Sequence, residues 1–295
     1  MKKICVIAGL TGAGKTSASI ALAKLWNAEI ISADSVAVYK GMDIGSAKPT
    51  LKEQDGITHH CIDIRTYEEA YSVDDFQREA RRLIKEIQNR GKNVIVVGGT
   101  GLYIKALLYD YRFEDEPKEV LESDLSTEDL YQSLLEKDPE AAQTLHPNNR
   151  KRILRALDSF EKHGLMRHEL TENQKDTQII EAEVFFLQGD REKIYERINR
   201  RVEMMFETGL EKEVRDFYEK DSNLFSYNSF KSIGYREFES YFKDEIDKKT
   251  LISLIQRNTR RFAKRQITWF KHQQPSIWID IFEKNPVEVI QKHLI

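Results

Sequence analysis

The chain has 295 residues, of which 40% are hydrophobic and 32% charged, with a formal net charge of −3. That balance excludes a mainly disordered chain, and 6 prolines and 14 glycines exclude a collagen-like or linker-dominated one. Two cysteines, Cys5 and Cys61, cannot build a disulfide framework or a four-ligand zinc site, and they read as small buried hydrophobes in a reducing compartment.

No apolar run approaches the ~20 residues of a membrane span. The run Ile4 to Leu10 behind Met1-Lys2-Lys3 is too short for a secretion signal and leads into a glycine-rich loop. No membrane partner is expected, and the expected location is the cytoplasm.

The mild net charge argues against a bulk nucleic-acid binder, yet it hides a segregation. Glu114 to Asp129 is acidic. Arg150 to Arg155, Arg191 to Arg201 and Arg257 to Lys271 form basic stripes, which can bind polyanions whatever the average charge.

In chain order, Lys3 to Ala8 is a β-branched run ending at Gly9 and reads as a buried strand. Gly14 to Leu25 reads as a helix and Ala28 to Ser32 as a second strand; His60 to Ile64 is a third, weaker one. Ser72, with Asp74 and Asp75 behind it, opens a helix that runs to Arg90 and closes at Gly91. Asn93 to Val97 is an apolar strand stopping at Gly98-Gly99, and Gly101 to Leu108 looks helical.

Strands alternating with helices predict a parallel sheet covered on both faces. From about Lys118 to Glu181 the patterns are helical only, with Asn149 as a cap and Gly164 as a stop. A strand resumes at Glu183 to Leu187, Asp190 caps another helix, and a last strand spans Ser276 to Ile281. The expected fold class is α/β. Residues 1–117 and 182–295 would form a P-loop NTPase-like core, and 118–181 an all-helical insertion.

Gly9-Leu10-Thr11-Gly12-Ala13-Gly14-Lys15-Thr16 fits G-x-x-x-x-G-K-[ST] between a strand and a helix. Its glycines let backbone N–H groups turn inward, and the helix dipole adds positive potential. Lys15 supplies a cation for phosphate oxygens and the Thr16 hydroxyl suits Mg²⁺. The strand ending at Val97 offers no carboxylate. The best acidic candidate is Asp34, which should converge with Thr100 and the Gly9 loop at the carboxyl ends of the strands. Asp34 could equally cap the turn that follows it.

These segments, with several more, closely resemble the tRNA dimethylallyltransferases. The resemblance runs through Ile31-Ser32-Ala33-Asp34-Ser35, Tyr39 to Pro49, His59 to Ile64 and Gly98 to Tyr103. It continues at Arg152 to Leu157, Ile233 to Glu237 and Ala263 to Phe270, so its blocks span nearly the whole chain in order. It implies transfer of a dimethylallyl group from its diphosphate to N6 of the adenosine 3′ of the anticodon, assisted by Mg²⁺ on Thr16.

By the same resemblance, Gly9 to Thr16 (Leu10, Thr11, Gly12, Ala13, Gly14 and Lys15 included) and Arg201 hold the diphosphate. Asp34 is the general base, and Thr100 and Lys15 join it at the reaction channel. Asp34, Ser35, Val36 and Ala37 touch tRNA, as do Lys151, Arg152, Ile153, Leu154 and Arg155. Many members carry Met-Gln where this chain has Val36-Ala37. The implied partners are a tRNA anticodon stem-loop and dimethylallyl diphosphate, with the protein acting as a monomer.

The chemistry suits the residues. N6 of adenine is a poor nucleophile, so a carboxylate accepting its proton helps as the N–C bond forms. Charge builds on the departing diphosphate, where backbone amides, Lys15, Mg²⁺ and an arginine stabilise it. The base must be splayed out of its loop to reach them. Arg257, Arg261, Lys264 and Thr268 share one helix face suited to RNA phosphates, so Arg261 and Lys264 are candidate tRNA contacts, with Leu251, Ile255, Phe262 and Trp269 opposite. Tyr103 and Trp269 would stack on bases or pack in the core. His59-His60 beside Cys61 reads as strand rather than metal site. The alternative reading is a small-molecule P-loop kinase using ATP, against which the missing acid at the end of the Asn93 strand counts.

Overall fold

The computed structural model describes residues 2–111, 123–163 and 177–294. The chain divides into two compact units, one built from residues 1–109 and 178–295 and one from 110–177. Both boundaries fall earlier in the chain than the expected 118 and 181, at the point where Tyr109 bridges Gln178 and closes the first unit.

The first unit holds β1 (Ile4–Gly9), α1 (Lys15–Trp26), β2 (Ala28–Ser32), α2 (Leu51–Gln54), β3 (His59–His60), α3 (Val73–Asn89), β4 (Asn93–Gly98) and α4 (Gly101–Leu108). The second unit holds α5 (Thr127–Lys137), α6 (Pro139–Thr144) and α7 (Arg150–His163). The chain then returns to the first unit with β5 (Ala182–Gln188), α8 (Arg191–Glu207), α9 (Leu210–Tyr218), α10 (Phe238–Phe242), α11 (Lys248–Gln273), β6 (Ile277–Asp280) and α12 (Pro286–Leu294).

Six strands form one sheet in the order β3-β2-β4-β1-β5-β6, and every pairing is parallel. β1, with all six residues buried, is central because β-branched and small apolar residues tolerate burial on both faces. The crossover β1-α1-β2 runs one way along the sheet and β3-α3-β4 the other. Right-handed crossovers of opposite direction put α1 and α3 on opposite faces. The order reverses between β1 and β4, so the carboxyl ends of these two strands, at Gly9 and Gly98, flank the ligand crevice.

Local signals set most boundaries. Ser72 and Asp75 form a full capping box at the start of α3, and Gly91, at φ 77°, stands just beyond its end. Asp190 accepts the amides of Glu192 and Lys193 and starts α8. Asn149 accepts the Arg152 amide at α7, while Gly164 and the acidic residues 114–122 lie outside the described residues.

The third strand departs from expectation. It ends at His60 rather than Ile64, because Cys61 and Asp63 take φ of 59° and 55°, which no extended strand accommodates. Cys5 and Cys61 are both free and buried.

Two apolar clusters stabilise the first unit. One packs α1, α3 and α4 on the sheet around Ile7, Ile31, Val96 and Phe186. The other is aromatic: Phe230, Tyr235 and Phe238 join Val202 and Leu251 beneath Val38, Tyr39 and Met42. That second cluster holds the chain leaving β2 against the C-terminal helices. The helical unit has its own core of Leu130, Leu134, Ala142, Ile153 and Ala156. Among the described residues no helix is long and apolar enough to cross a membrane.

Candidate active site

The glycine-rich loop leaves β1 and enters α1. Gly12 and Gly14 have φ of 82° and 77°, which a side chain would resist, and Gly14 is the helix N-cap with no side-chain cap bond. The first-turn amides of α1 are therefore left for an anion. Leu10 and Ala13 bury their side chains in the core, so these two can offer a ligand only backbone. Thr16 is exposed.

Lys15 folds its ammonium back onto the loop, with Nζ donating to the carbonyls of Gly9 and Leu10 at 2.9 Å each. Burial pulls its pKa down to about 8, Arg201 pushes it further the same way, and Asp34 opposes both. Burial likewise lowers the Arg201 guanidinium, again opposed by Asp34, and Nη1 of Arg201 donates to Oγ1 of Thr11 at 3.4 Å. Two cations and one carboxylate thus surround the loop, although their residues lie far apart in the chain.

Asp34 follows β2. Its Oδ1 accepts the amides of Val36 (2.8 Å) and Ala37 (3.3 Å), so the turn-capping role is real. That role uses one oxygen. Asp34 also lines a small open cleft of about 70 Å³ together with Lys15, Thr16, Ser32, Ser46, Lys48 and His59. Thr100 caps α4 without spending its side chain on the cap, so its hydroxyl is not committed there. Thr100 and Arg201 are not among the lining residues of that cavity.

Of the segment after Asp34, Ser35 is half-buried, Val36 packs on the aromatic cluster and Ala37 is buried. Only part of this expected RNA segment is accessible. The same holds in α7: Lys151, Arg152 and Arg155 are exposed, whereas Ile153 is fully buried and Leu154 packs against the helical core. Helical periodicity forces this division. In α11, Arg257, Arg261, Lys264 and Thr268 are exposed as expected. The buried line, however, runs through Leu251, Ile255, Ala263, Gln266 and Phe270, with Phe262 and Trp269 only half-buried. Tyr103 is a core residue stacked on Phe76 at 4.6 Å.

Sequence reasoning passed over three positioning residues. Lys48 is nearly buried and donates to the Tyr39 carbonyl (2.8 Å), Asp43 (2.5 Å) and Asp63 (2.6 Å). Glu213 accepts the amides of Asp43 (2.9 Å), Ile44 (2.7 Å) and Gly45 (3.2 Å) and the Tyr235 hydroxyl (2.7 Å). Together they hold the segment Asp43 to Lys48 at the cavity mouth. Gln266 bonds both the phosphate loop and the turn before α4. Lys48 and Gln266 stood inside recognisable motifs, but Glu213 carried no signal in the sequence.

Among the described residues no three His, Cys, Asp or Glu side chains gather to hold a metal. The hard oxygen donors of Thr16, Ser32 and Asp34 do share one cavity. That set fits Mg²⁺, which keeps several waters and shares substrate phosphates rather than filling a protein cage.

The family model for IPP transferase matches residues 37–273. A tRNA dimethylallyltransferase from Anoxybacillus flavithermus is 43% identical over 299 residues, covering 98% of this chain and 95% of that protein. A tRNA isopentenylpyrophosphate transferase from Staphylococcus epidermidis superimposes with a TM-score of 0.75 at 37% identity, covering 99% of both chains. A eukaryotic dimethylallyltransferase acting on tRNA superimposes at 0.85 with 30% identity, covering all of this chain and 78% of that one. The chain belongs to the IPP transferase family of tRNA dimethylallyltransferases.

Proposed function

We propose that this protein transfers the dimethylallyl group of dimethylallyl diphosphate to N6 of the adenosine 3′ of the anticodon in tRNA. The observation that carries the reading is the meeting of Lys15, Thr16 and Asp34 in one cavity, with Arg201 at the same loop.

The diphosphate sits on the first-turn amides of α1, where Lys15 exchanges the Gly9 and Leu10 carbonyls for phosphate oxygens. Arg201 adds a second cation. As the bond from the allylic carbon to the bridging oxygen breaks, its electron pair stays on the diphosphate. The N6 lone pair forms the new bond, and Asp34 accepts the N6 proton through the oxygen not spent on Val36. Thr100, at the start of α4 just beyond the carboxyl end of β4, would face the reaction channel. The Thr16 hydroxyl would be the protein ligand of Mg²⁺, which when bound would supply charge neutralisation for the leaving group.

β4 ends in Gly98 and Gly99, so it supplies no acid for the nucleotide-bound metal a kinase orders there. The tRNA side of the proposal rests on exposed cations: Arg257, Arg261 and Lys264 on α11, and Lys151, Arg152 and Arg155 on α7. A cytoplasmic setting agrees with two free buried thiols.

The test incubates the protein with Mg²⁺, dimethylallyl diphosphate and an anticodon stem-loop carrying three consecutive adenosines. Mass analysis of the digested RNA should show one added C5 unit on one adenosine. Phosphate transfer from ATP with no C5 product would reverse the reading.

A further inference from the structure

Gln266 lies in the middle of α11, 4% exposed, in a line of otherwise apolar core residues. A buried primary amide is costly unless both its ends are satisfied. Here both are. Its Oε1 accepts the Thr11 amide of the phosphate loop at 3.1 Å, and its Nε2 donates to the Gly99 carbonyl at 3.0 Å. The orientation is unambiguous, because a backbone N–H only donates and a carbonyl only accepts.

The partners belong to different functional elements. Thr11 lies in the diphosphate loop, and its hydroxyl also meets Arg201. Gly99 immediately precedes Thr100. The fit at Gly99 is tight: a Cβ there would fall 2.2 Å from Gln266 Nε2, while the nearest atom outside Gln266, the Gly9 carbonyl oxygen, would lie at 3.6 Å. Two residues on, a Cβ at Gly101 would meet Trp269 at 2.2 Å. α11 thus presses one polar and one aromatic side chain into this turn.

Resting on the proposed function, we infer that Gln266 is a positioning residue: its amide spans the phosphate loop and the Thr100 turn and sets the distance between leaving group and reaction channel. No other side chain bonds both elements among the described residues. Alanine removes the clip, and glutamate keeps the Thr11 acceptor but sets a carboxylate oxygen against the Gly99 carbonyl. Misplacement of about 1 Å in such a constellation costs on the order of a hundredfold in rate.

The test is a cycle between Gln266→Ala and Gly99→Ala. Gly99 has an ordinary backbone conformation, so its alanine is harmful only through Gln266, and shortening Gln266 makes room for the methyl. Each single variant should lose about tenfold or more in kcat and in affinity for inorganic pyrophosphate. The double variant should match Gln266→Ala within about twofold, the non-additivity expected of residues in contact. Binding of tRNA should stay within about twofold throughout, and circular dichroism should show native helix content.

Wild-type behaviour of Gly99→Ala, or multiplied losses in the double variant, overturns the inference. If Gly99→Ala does not fold, Gln266→Glu read against Gln266→Ala takes its place: equal turnover in all three chains, wild type included, is then the overturning result. Pyrophosphate binding is read by calorimetry without any transfer reaction. A protein that adds no C5 unit yet shows the cycle in pyrophosphate affinity refutes the proposed function and retains the clip.

Discussion

Oδ1 of Asp34 accepts the Val36 amide at 2.8 Å, so one carboxylate oxygen shapes the turn while the group as a whole lines the cavity that holds Lys15 and Thr16. On the proposed function, Oδ1 shapes the turn and the other oxygen would take the N6 proton. Asparagine at this position can keep the acceptor for Val36 but cannot take a proton. Asp34→Asn should fold normally, bind tRNA within a few-fold of wild type, and lose about 10² to 10⁴ in kcat. Single-turnover transfer measured beside filter binding checks this, and equal losses in both assays would reject Asp34 as the base.

Lys15 is held on two carbonyls of its own loop, and burial first, then Arg201, lower its pKa to about 8. An anion in the loop favours the charged form, so binding raises that pKa. Affinity for the diphosphate should hold below about pH 8 and weaken above it, with proton uptake on binding in the alkaline range. Calorimetry in buffers of different ionisation enthalpy reads that uptake. Lys15→Ala should bind the diphosphate more weakly and lose this proton signature; an unchanged signature places the proton elsewhere.

Glu213 is the sole side chain, among the described residues, that accepts the consecutive amides of Asp43, Ile44 and Gly45. It also accepts from the Tyr235 hydroxyl, whose ring belongs to the aromatic cluster. Glu213→Ala strands those donors and should cost about 2–3 kcal/mol in urea unfolding. Restored glutamine, able to accept but uncharged, should recover part of the loss. Stability equal to wild type in Glu213→Ala would show that water replaces the carboxylate fully.

Glu29 is a buried carboxylate in β2. Burial pushes its pKa up, but hydrogen bonds from His60 (2.7 Å), Lys92 (3.1 Å) and Arg90 (2.6 Å) outweigh that and hold it at about 2. A depressed carboxylate contributes stability that is complete above its unfolded pKa near 4.5 and lost as pH falls towards 2. The shift corresponds to about 3 kcal/mol. Glu29→Gln should be less stable than wild type at neutral pH and converge with it near pH 2, as followed by thermal unfolding across that range.

Arg261 and Lys264 are exposed and one turn apart on α11. If they meet RNA phosphates, replacing both with glutamine should lower the slope of log affinity against log salt by about 1.4. An identical slope would assign them to ordinary solvated surface.

The elements that depend on neighbours in the chain were legible in the residues alone. The glycine-rich turn, the Ser72 capping box, the Asp190 cap and the buried β-branched runs of β1 and β4 are local: their signals lie within one turn or one strand of the structure they specify. The parallel alternation and the helical insertion followed from the same periodicities. What folding alone supplied are relationships across the sheet and between distant helices. Asp34 and Lys15 line one cavity although β4 separates the strands that precede them. Gln266 joins Thr11 across 255 positions of sequence, and Glu213 anchors Asp43 across 170. Residues such as Ile153 and Ala37 turn inward because their own faces are apolar and a core lay on that side. β3 stops early because packing places Cys61 and Asp63 in left-handed backbone. Short-range preferences cost and return their free energy within a few residues, whereas long-range pairs form only when the packed layers bring them together, and no local pattern encodes that meeting.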